Sequence, residues 1–159
     1  MIKIIACIDE VNALGKNNDL IYHLPNDMKR FKELTTNNIV VMGYNTYLSL
    51  PHGALPNREN YVITNKDAEL DNVTILNSID EIKNVETNGK DIYIIGGASI
   101  YSQCIDICDE LDVTLVHNKC EEADVFFPNI NGFNISKIEK HYRNKQHKFD
   151  YDFITYKKG

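Results

Sequence analysis

The sequence predicts an α/β layered domain, a largely parallel sheet covered by helices. Short runs rich in Ile and Val recur along the chain, several are apolar throughout instead of alternating, and the stretches between them leave room for crossover helices. A strand apolar at every position is buried on both faces, which calls for helices on both sides of the sheet.

The strand runs are 2–8, 39–42, 61–64, 73–76 and 92–95. Pro25 suits the first position of a helix, where its fixed φ and missing N–H cost nothing, and predicts a helix over 26–34. Ser78-Ile79-Asp80-Glu81 reads as a capping box. A further helix over 98–105 follows the pair Gly96-Gly97. Near the C-terminus Phe149, Tyr151, Phe153 and Thr155 alternate with outward residues, after another extended run at 135–143. These two predict an antiparallel hairpin at a sheet edge. Loops fall at 9–21, 50–58 and 118–124, and loops of that length in a compact domain often carry function.

With 159 residues, 43% of them hydrophobic, the chain can bury one core unaided, and no repeat or linker divides it, so one domain over 1–159 is expected. The net charge of −6 and the lack of any Lys/Arg run argue against a nucleic-acid partner. An anionic ligand would need a local positive site. The four cysteines, Cys7, Cys104, Cys108 and Cys120, have no CxxC spacing and no His-rich neighbour, which predicts reduced, mostly buried thiols and no metal. Neither a signal-like N-terminus nor a membrane-length apolar run is present, so a cytoplasmic location is expected.

Four features could carry chemistry. Asp27 shares a helical face with Phe31 and Leu34 and interrupts an apolar stripe. It is either a first-turn acid favoured by the helix N-terminus or a partly buried acid placed for a cationic or amidine-like group, its pKa raised by the pocket. Ile94-Ile95-Gly96-Gly97-Ala98-Ser99-Ile100-Tyr101 is a buried strand running through two glycines into a helix. Such a junction lets backbone approach a pyrophosphate, although a tight turn without ligand would read the same. Gly43-Tyr44-Asn45-Thr46 repeats the pattern, and two junctions could hold one dinucleotide between them; ordinary capping by Asn45 or Thr46 is the alternative. Arg58, after Leu55-Pro56-Asn57, could grip a carboxylate with its fork or simply be solvated.

In order along the chain, these blocks resemble the dihydrofolate reductases. The stretch Leu14-Gly15-Lys16-Asn17-Asn18-Asp19-Leu20-Ile21-Tyr22-His23-Leu24-Pro25-Asn26-Asp27, followed by Phe31-Lys32, is similar to the family's active-site loop and catalytic helix start. Val41-Met42-Gly43 with Thr46, Leu55-Pro56-Asn57-Arg58-Glu59-Asn60, Ile95-Gly96-Gly97 and Ala123-Asp124-Val125-Phe126-Phe127-Pro128 match further blocks. The resemblance implies an eight-stranded, mostly parallel central sheet flanked by four helices, with an antiparallel C-terminal strand. It also implies hydride transfer from NADPH to C6 of dihydrofolate with protonation at N5, supplying tetrahydrofolate to one-carbon metabolism and to thymidylate and purine synthesis, by a monomer without metal.

Site residues follow from the resemblance as well. Asp27, Tyr22, Leu20 and Thr114 take catalytic roles, Asp27 promoting protonation through water with Thr114 supporting it. Ile5, Ala6, Met28, Phe31, Leu50, Leu55, Ile95 and Tyr101 border the substrate, and Arg58 holds its glutamate carboxylate. Ala6, Cys7, Leu14, Gly15, Asn18 and Leu20 lie toward the nicotinamide, with Gly96, Gly97, Ala98, Ser99, Ile100 and Tyr101 on the cofactor's other side. Gly43, Tyr44, Asn45, Thr46, Thr64, Asn65 and Lys66 handle the pyrophosphate and 2′-phosphate. Tyr101 could instead be a half-buried aromatic with its hydroxyl in water.

Four positions depart from the family pattern. Tyr22 stands where many relatives carry Trp; it keeps a ring and a polar handle, and its water-linked role is expected to survive. Tyr44 and Ser99 replace frequent arginines, which weakens the cationic grip on the cofactor, and Ala123 replaces a frequent Gly. A related pterin or pyrimidine reductase on the same fold, or a non-catalytic nucleotide-binding module, are the alternatives. The Leu-Pro-x-Asp helix start favours folate.

Overall fold

The computed structural model describes residues 1–17, 19–65 and 69–159, so the expectations for Asn18 and Lys66 lie outside the described residues. The apolar runs become β1 (Ile2–Asp9), β4 (Ile39–Gly43), β5 (Glu59–Ile63), β6 (Thr74–Leu76) and β7 (Ile92–Ile94). Every residue of β4 and of β7 is buried, as strands covered on both faces must be. The C-terminal hairpin is β10 (Phe133–His141) against β11 (Tyr151–Lys158), antiparallel, with a bulge between Ile135 and Lys137 and β10 at the edge. β8 (Glu110–Val116) completes an eight-stranded sheet among the described residues, ordered β10-β11-β8-β1-β7-β4-β5-β6. All pairings are parallel except those of β11 with its two neighbours, so β11 is the one strand that runs against the rest.

Among the described residues three helices are α: α1 (Pro25–Thr35), α2 (Tyr44–Ser49) and α3 (Ala98–Cys104), with Pro25 in the first turn of α1 as its ring requires. The fourth, over Ile79–Asn84, is a 3-10 helix, and the capping box expected there is not made, Glu81 reaching one residue past the N-cap. Ser78 is extended and caps nothing with its side chain, whereas Glu81 reaches back to accept from the Asn77 N–H at 2.7 Å. Tighter i→i+3 winding changes the register a box needs. α3 ends at Cys104, one residue short of expectation, and Cys108 lies in the turn beyond it.

The segment 9–21 is more regular than a loop, whereas 118–124 is a loop as expected. β2 (Ala13–Lys16) pairs with β3 (Asp19–Leu20) and with β9 (Val125–Phe126) in a second, three-stranded sheet. Lys16 forms an ion pair with Glu122, and the Asn17 N–H donates to Asp124 Oδ2 at 3.0 Å, so the two segments are stitched together. Two core clusters lie on opposite faces of the main sheet. One gathers Ile4, Ala6, Ile8, Val41, Ile94 and Val113 with α3; the other gathers Ile5, Val40, Met42 and Tyr93 with α1 and α2.

Candidate active site

Side chains on a strand alternate between faces, and the register of three adjacent strands decides what α1 meets. Cys7 of β1 is level with Thr114 of β8, and Thr114 with Phe153 of β11; two residues away, Ile5 is level with Asp112, and Asp112 with Thr155. One face of β1, β8 and β11 therefore offers Cys7, Asp112, Thr114 and Phe153 to the helix. α1 is fixed above them at its first turn, where the Asn26 N–H donates to Nε2 of the buried His147 at 3.2 Å and Asn26 Nδ2 donates to the Tyr151 hydroxyl at 2.6 Å.

Asp27 is thereby set on Thr114, whose hydroxyl donates to Asp27 Oδ1 at 2.5 Å, and the Cys7 thiol donates to the same carboxylate. Burial pushes the Asp27 carboxyl above the usual aspartate range, while the Thr114 hydrogen bond, the charge of Arg30 and the Cys7 thiol pull it back. Of the two readings of this acid, the structure favours the partly buried one. Burial and the neighbouring carboxylates push the Cys7 thiol up, so it stays a protonated donor.

Beside Asp27 the expected apolar walls gather: Phe31, Leu50, Leu55 and Ile95 pack with Ile5 in one cluster. Met28 does not join it and is 63% exposed, as is Leu20 at 60%. At the far end, Arg58 Nε donates to Pro56 O at 2.9 Å and Nη1 to Thr35 Oγ1 at 3.1 Å. Thr35, fully buried on α1, thus aims the guanidinium, a function its sequence position did not suggest. Partial burial lowers the Arg58 pKa, and the side chain borders a shallow cavity of about 290 Å³.

The two glycine junctions meet. The Gly43 N–H donates to Gly96 O at 2.8 Å, joining the β4–α2 and β7–α3 turns. Gly96 has a φ of +121°, a backbone region open chiefly to glycine. A Cβ on Gly43 would lie 2.9 Å from Ile100 Cγ1, closer than packing allows, whereas one on Gly97 would make ordinary contact with Thr46 Oγ1 at 3.4 Å. Neither α2 nor α3 has a side-chain cap at its start, which removes the alternative of capping by Asn45 or Thr46. Asn45, Ser99 and Asn65 are exposed at this end of the sheet and Thr64 is buried, its N–H on Leu76 O at 2.9 Å. Ala6, Leu14, Ile100 and Tyr101 pack together, with Ala98 against them, and Gly15 is buried on β2. Tyr101 is no half-buried aromatic: it is buried and its hydroxyl donates to Ile5 O at 2.8 Å.

Tyr22 finds partners the sequence did not suggest. Its hydroxyl donates to Asp9 Oδ2 at 2.7 Å and accepts from Asn118 Nδ2 at 3.0 Å, so its one proton is committed to Asp9. Asp9 is fully buried and also accepts from the N–H groups of Val11, Ala13 and Cys120. Sequence reasoning missed this hub, although alternation along β1 places Asp9 on the face of Ile5 and Cys7. The missed Arg30 had a signal too, one helical turn from Asp27. All four cysteines are free, Cys104 and Cys108 buried, Cys7 and Cys120 only partly, and among the described residues no cluster of His, Cys, Asp and Glu could hold a metal ion.

The family model described as dihydrofolate reductase matches residues 1–158. The dihydrofolate reductase of Bacillus subtilis strain 168 is 33% identical over 161 residues, spanning 99% of this chain and 95% of that protein. The Staphylococcus aureus enzyme of strain Mu50 is 33% identical over 128 residues, 80% of this chain and 77% of its own. A solved dihydrofolate reductase from Enterococcus faecalis, complexed with NADP(H) and the ligand RAB-propyl, superposes with a TM-score of 0.89 at 31% identity, covering 100% of this chain and 96% of that one.

Proposed function

This chain belongs to the dihydrofolate reductase family, and on that premise we propose how its own residues divide the reduction of 7,8-dihydrofolate to 5,6,7,8-tetrahydrofolate with NADPH. The observation that carries the proposal is Asp27, a carboxylate of raised proton affinity held on Thr114 beside an apolar wall.

The cradle of Gly43, Gly96 and Gly97 suits a dinucleotide, since two strand-to-helix turns meet there through the Gly43–Gly96 hydrogen bond and none of the three brings a side chain to it. When bound there, NADPH supplies the hydride that goes to C6 of the dihydropterin. Asp27 accepts hydrogen bonds from the amidine-like edge of the pterin, and its negative charge favours protonation at N5 through water. Thr114 and Cys7 fix where that charge points. Ile5, Phe31, Leu50, Leu55 and Ile95 hold the flat rings and exclude water. Arg58, aimed by Thr35, takes the substrate's glutamate carboxylate. Tyr101 ties α3 to the Ile5 carbonyl and so keeps the cofactor side of the cleft against the substrate side. Tyr22 works through Asp9, steadying the entry to α1.

Discrimination for the 2′-phosphate needs donors or cations at that one group. Tyr44 and Ser99 bring no charge, leaving Lys66 as the cation of the stretch, with Thr64 and Asn65 as hydrogen-bonding neighbours in sequence. The enzyme is proposed to act as a one-domain monomer in the cytoplasm, in keeping with a site assembled from one chain. No described helix is long and apolar enough to cross a membrane. Following NADPH absorbance with the purified protein tests the reading: oxidation is expected only when dihydrofolate is added, and no dihydrofolate-dependent rate at any cofactor concentration would overturn it.

A further inference from the structure

Arg30 leaves the same face of α1 as Asp27, one turn on. Its Nη2 lies 3.7 Å from Asp112 Oδ1, and its guanidinium carbon lies 4.6 Å from the centroid of the Phe153 ring. Both anchors belong to the strands that hold Asp27: Asp112 precedes Thr114 by two residues on β8, and Phe153 faces Thr114 from β11. The helix therefore meets the sheet in two rungs, Asp27 on Thr114 and Arg30 on Asp112. Thr155 Oγ1 backs the second rung, 3.4 Å from Asp112 Oδ1.

The Arg30 and Asp112 side chains are only 18% and 7% exposed, so solvent screens them far less than a surface pair. Buried ion pairs seldom stabilise a fold better than apolar residues of the same volume, which turns attention to what the charge does there. Held between a carboxylate and a ring and largely out of water, the guanidinium presents its positive charge to its helical neighbour. We propose that Arg30, anchored by Asp112 and Phe153, is a positioning residue that sets the protonation of Asp27. This rests on the reading of Asp27 as the acid of dihydrofolate reduction.

Other groups around Asp27 do not duplicate the effect. Cys7 of β1 and Tyr101 of α3 face it as neutral groups, and Thr114 only donates a hydrogen bond. Asp112 in turn feels Glu110 of its own strand, Lys3 of β1 and Tyr93 of β7. Among the described residues acting on Asp27, Arg30 is the cation, and its charge opposes the rise that burial imposes.

The test uses Arg30→Met, Arg30→Lys and the double variant Arg30→Met/Asp112→Asn, which leaves no orphaned acid if the single change unfolds the chain. Two quantities are read in each: the Asp27 midpoint in the free protein, from carboxyl carbon NMR assigned with Asp27→Asn, and the pH profile of dihydrofolate-dependent NADPH oxidation. Losing the opposite charge one helical turn away should raise the Asp27 midpoint by on the order of one pH unit in Arg30→Met. The rate profile should move the same way, the double variant should keep the rise, and Arg30→Lys should stay near wild type. An unmoved midpoint in the folded Arg30→Met or double variant, or an equal shift in Arg30→Lys, overturns the proposal. A wild type without dihydrofolate-dependent oxidation defeats the functional reading instead, while the midpoint still decides the role of Arg30.

Discussion

Asp27 carries a desolvation penalty that Thr114, Arg30 and Cys7 offset only in part, so its proton affinity in the folded chain exceeds that of an exposed aspartate. The native state then binds more protons than the unfolded chain between the ordinary and the raised pKa, and stability falls as pH rises through that window. Asp27→Asn removes the penalty. It should melt at a higher temperature than wild type at pH 7, with the gap closing below about pH 4, where both forms are neutral; a lower melting temperature at pH 7 would mean the charge stabilises the fold. Arg58→Leu should raise KM for dihydrofolate roughly tenfold to a hundredfold, the loss of a charge-assisted pair of about 1.5–3 kcal/mol, without changing KM for NADPH. An equal effect on both constants would place the guanidinium elsewhere. Asp27 and Arg58 stood out in the sequence because a charge in an apolar stripe or after a turn is conspicuous. Asp9, Thr35 and Arg30 did not, because their importance lies in partners: Thr35 meets Arg58 across 23 positions and Asp9 meets Cys120 across 111.

Elements with unbroken apolar character were legible, as was the alternating C-terminal hairpin, whereas the other strands of mixed character were not. β4 and β7 read directly from Ile and Val, and the run 135–143 with the alternation after it gave the hairpin. β8 escaped because Glu110, Asp112 and Thr114 alternate with Leu and Val, a pattern that suits an exposed strand, yet all three polar residues are buried here. They are buried because they meet Lys3, Arg30 and Asp27. β2, β3 and β9 are two to four residues long, too short for an apolar pattern to show, and β9 exists by pairing with β2 across a long separation, which no local window reports. The glycine junctions were visible as sequence, but only their hydrogen bond to each other makes one cradle. Gly43→Ala would press its Cβ against Ile100 and cost about 1–3 kcal/mol of stability through overpacking, with weaker NADPH binding. Adding Ile100→Ala should recover part of both; if the double variant binds no better than Gly43→Ala, the cradle does not hold the cofactor.

At the scale of the whole molecule, the sheet supplies both halves of the chemistry from one arrangement. The ends of β4 and β7 form the cradle, while the faces of β1, β8 and β11 place Asp27 beside the apolar wall. The active-site segment is stitched to 118–124 through Asp9, Tyr22 and Asn118, so the acid and the loop above it are held by one framework. That architecture has one use in this account: to keep a negative charge where a pterin must gain a proton. The pH dependence of NADPH oxidation by Asp27→Asn, compared with wild type, tests this most directly. The variant is expected to be severely slowed at neutral pH and to recover toward the wild-type rate as the pH falls and the substrate is protonated without help. A variant that keeps near wild-type turnover at neutral pH, or one whose deficit is the same at every pH, would contradict the assignment of Asp27.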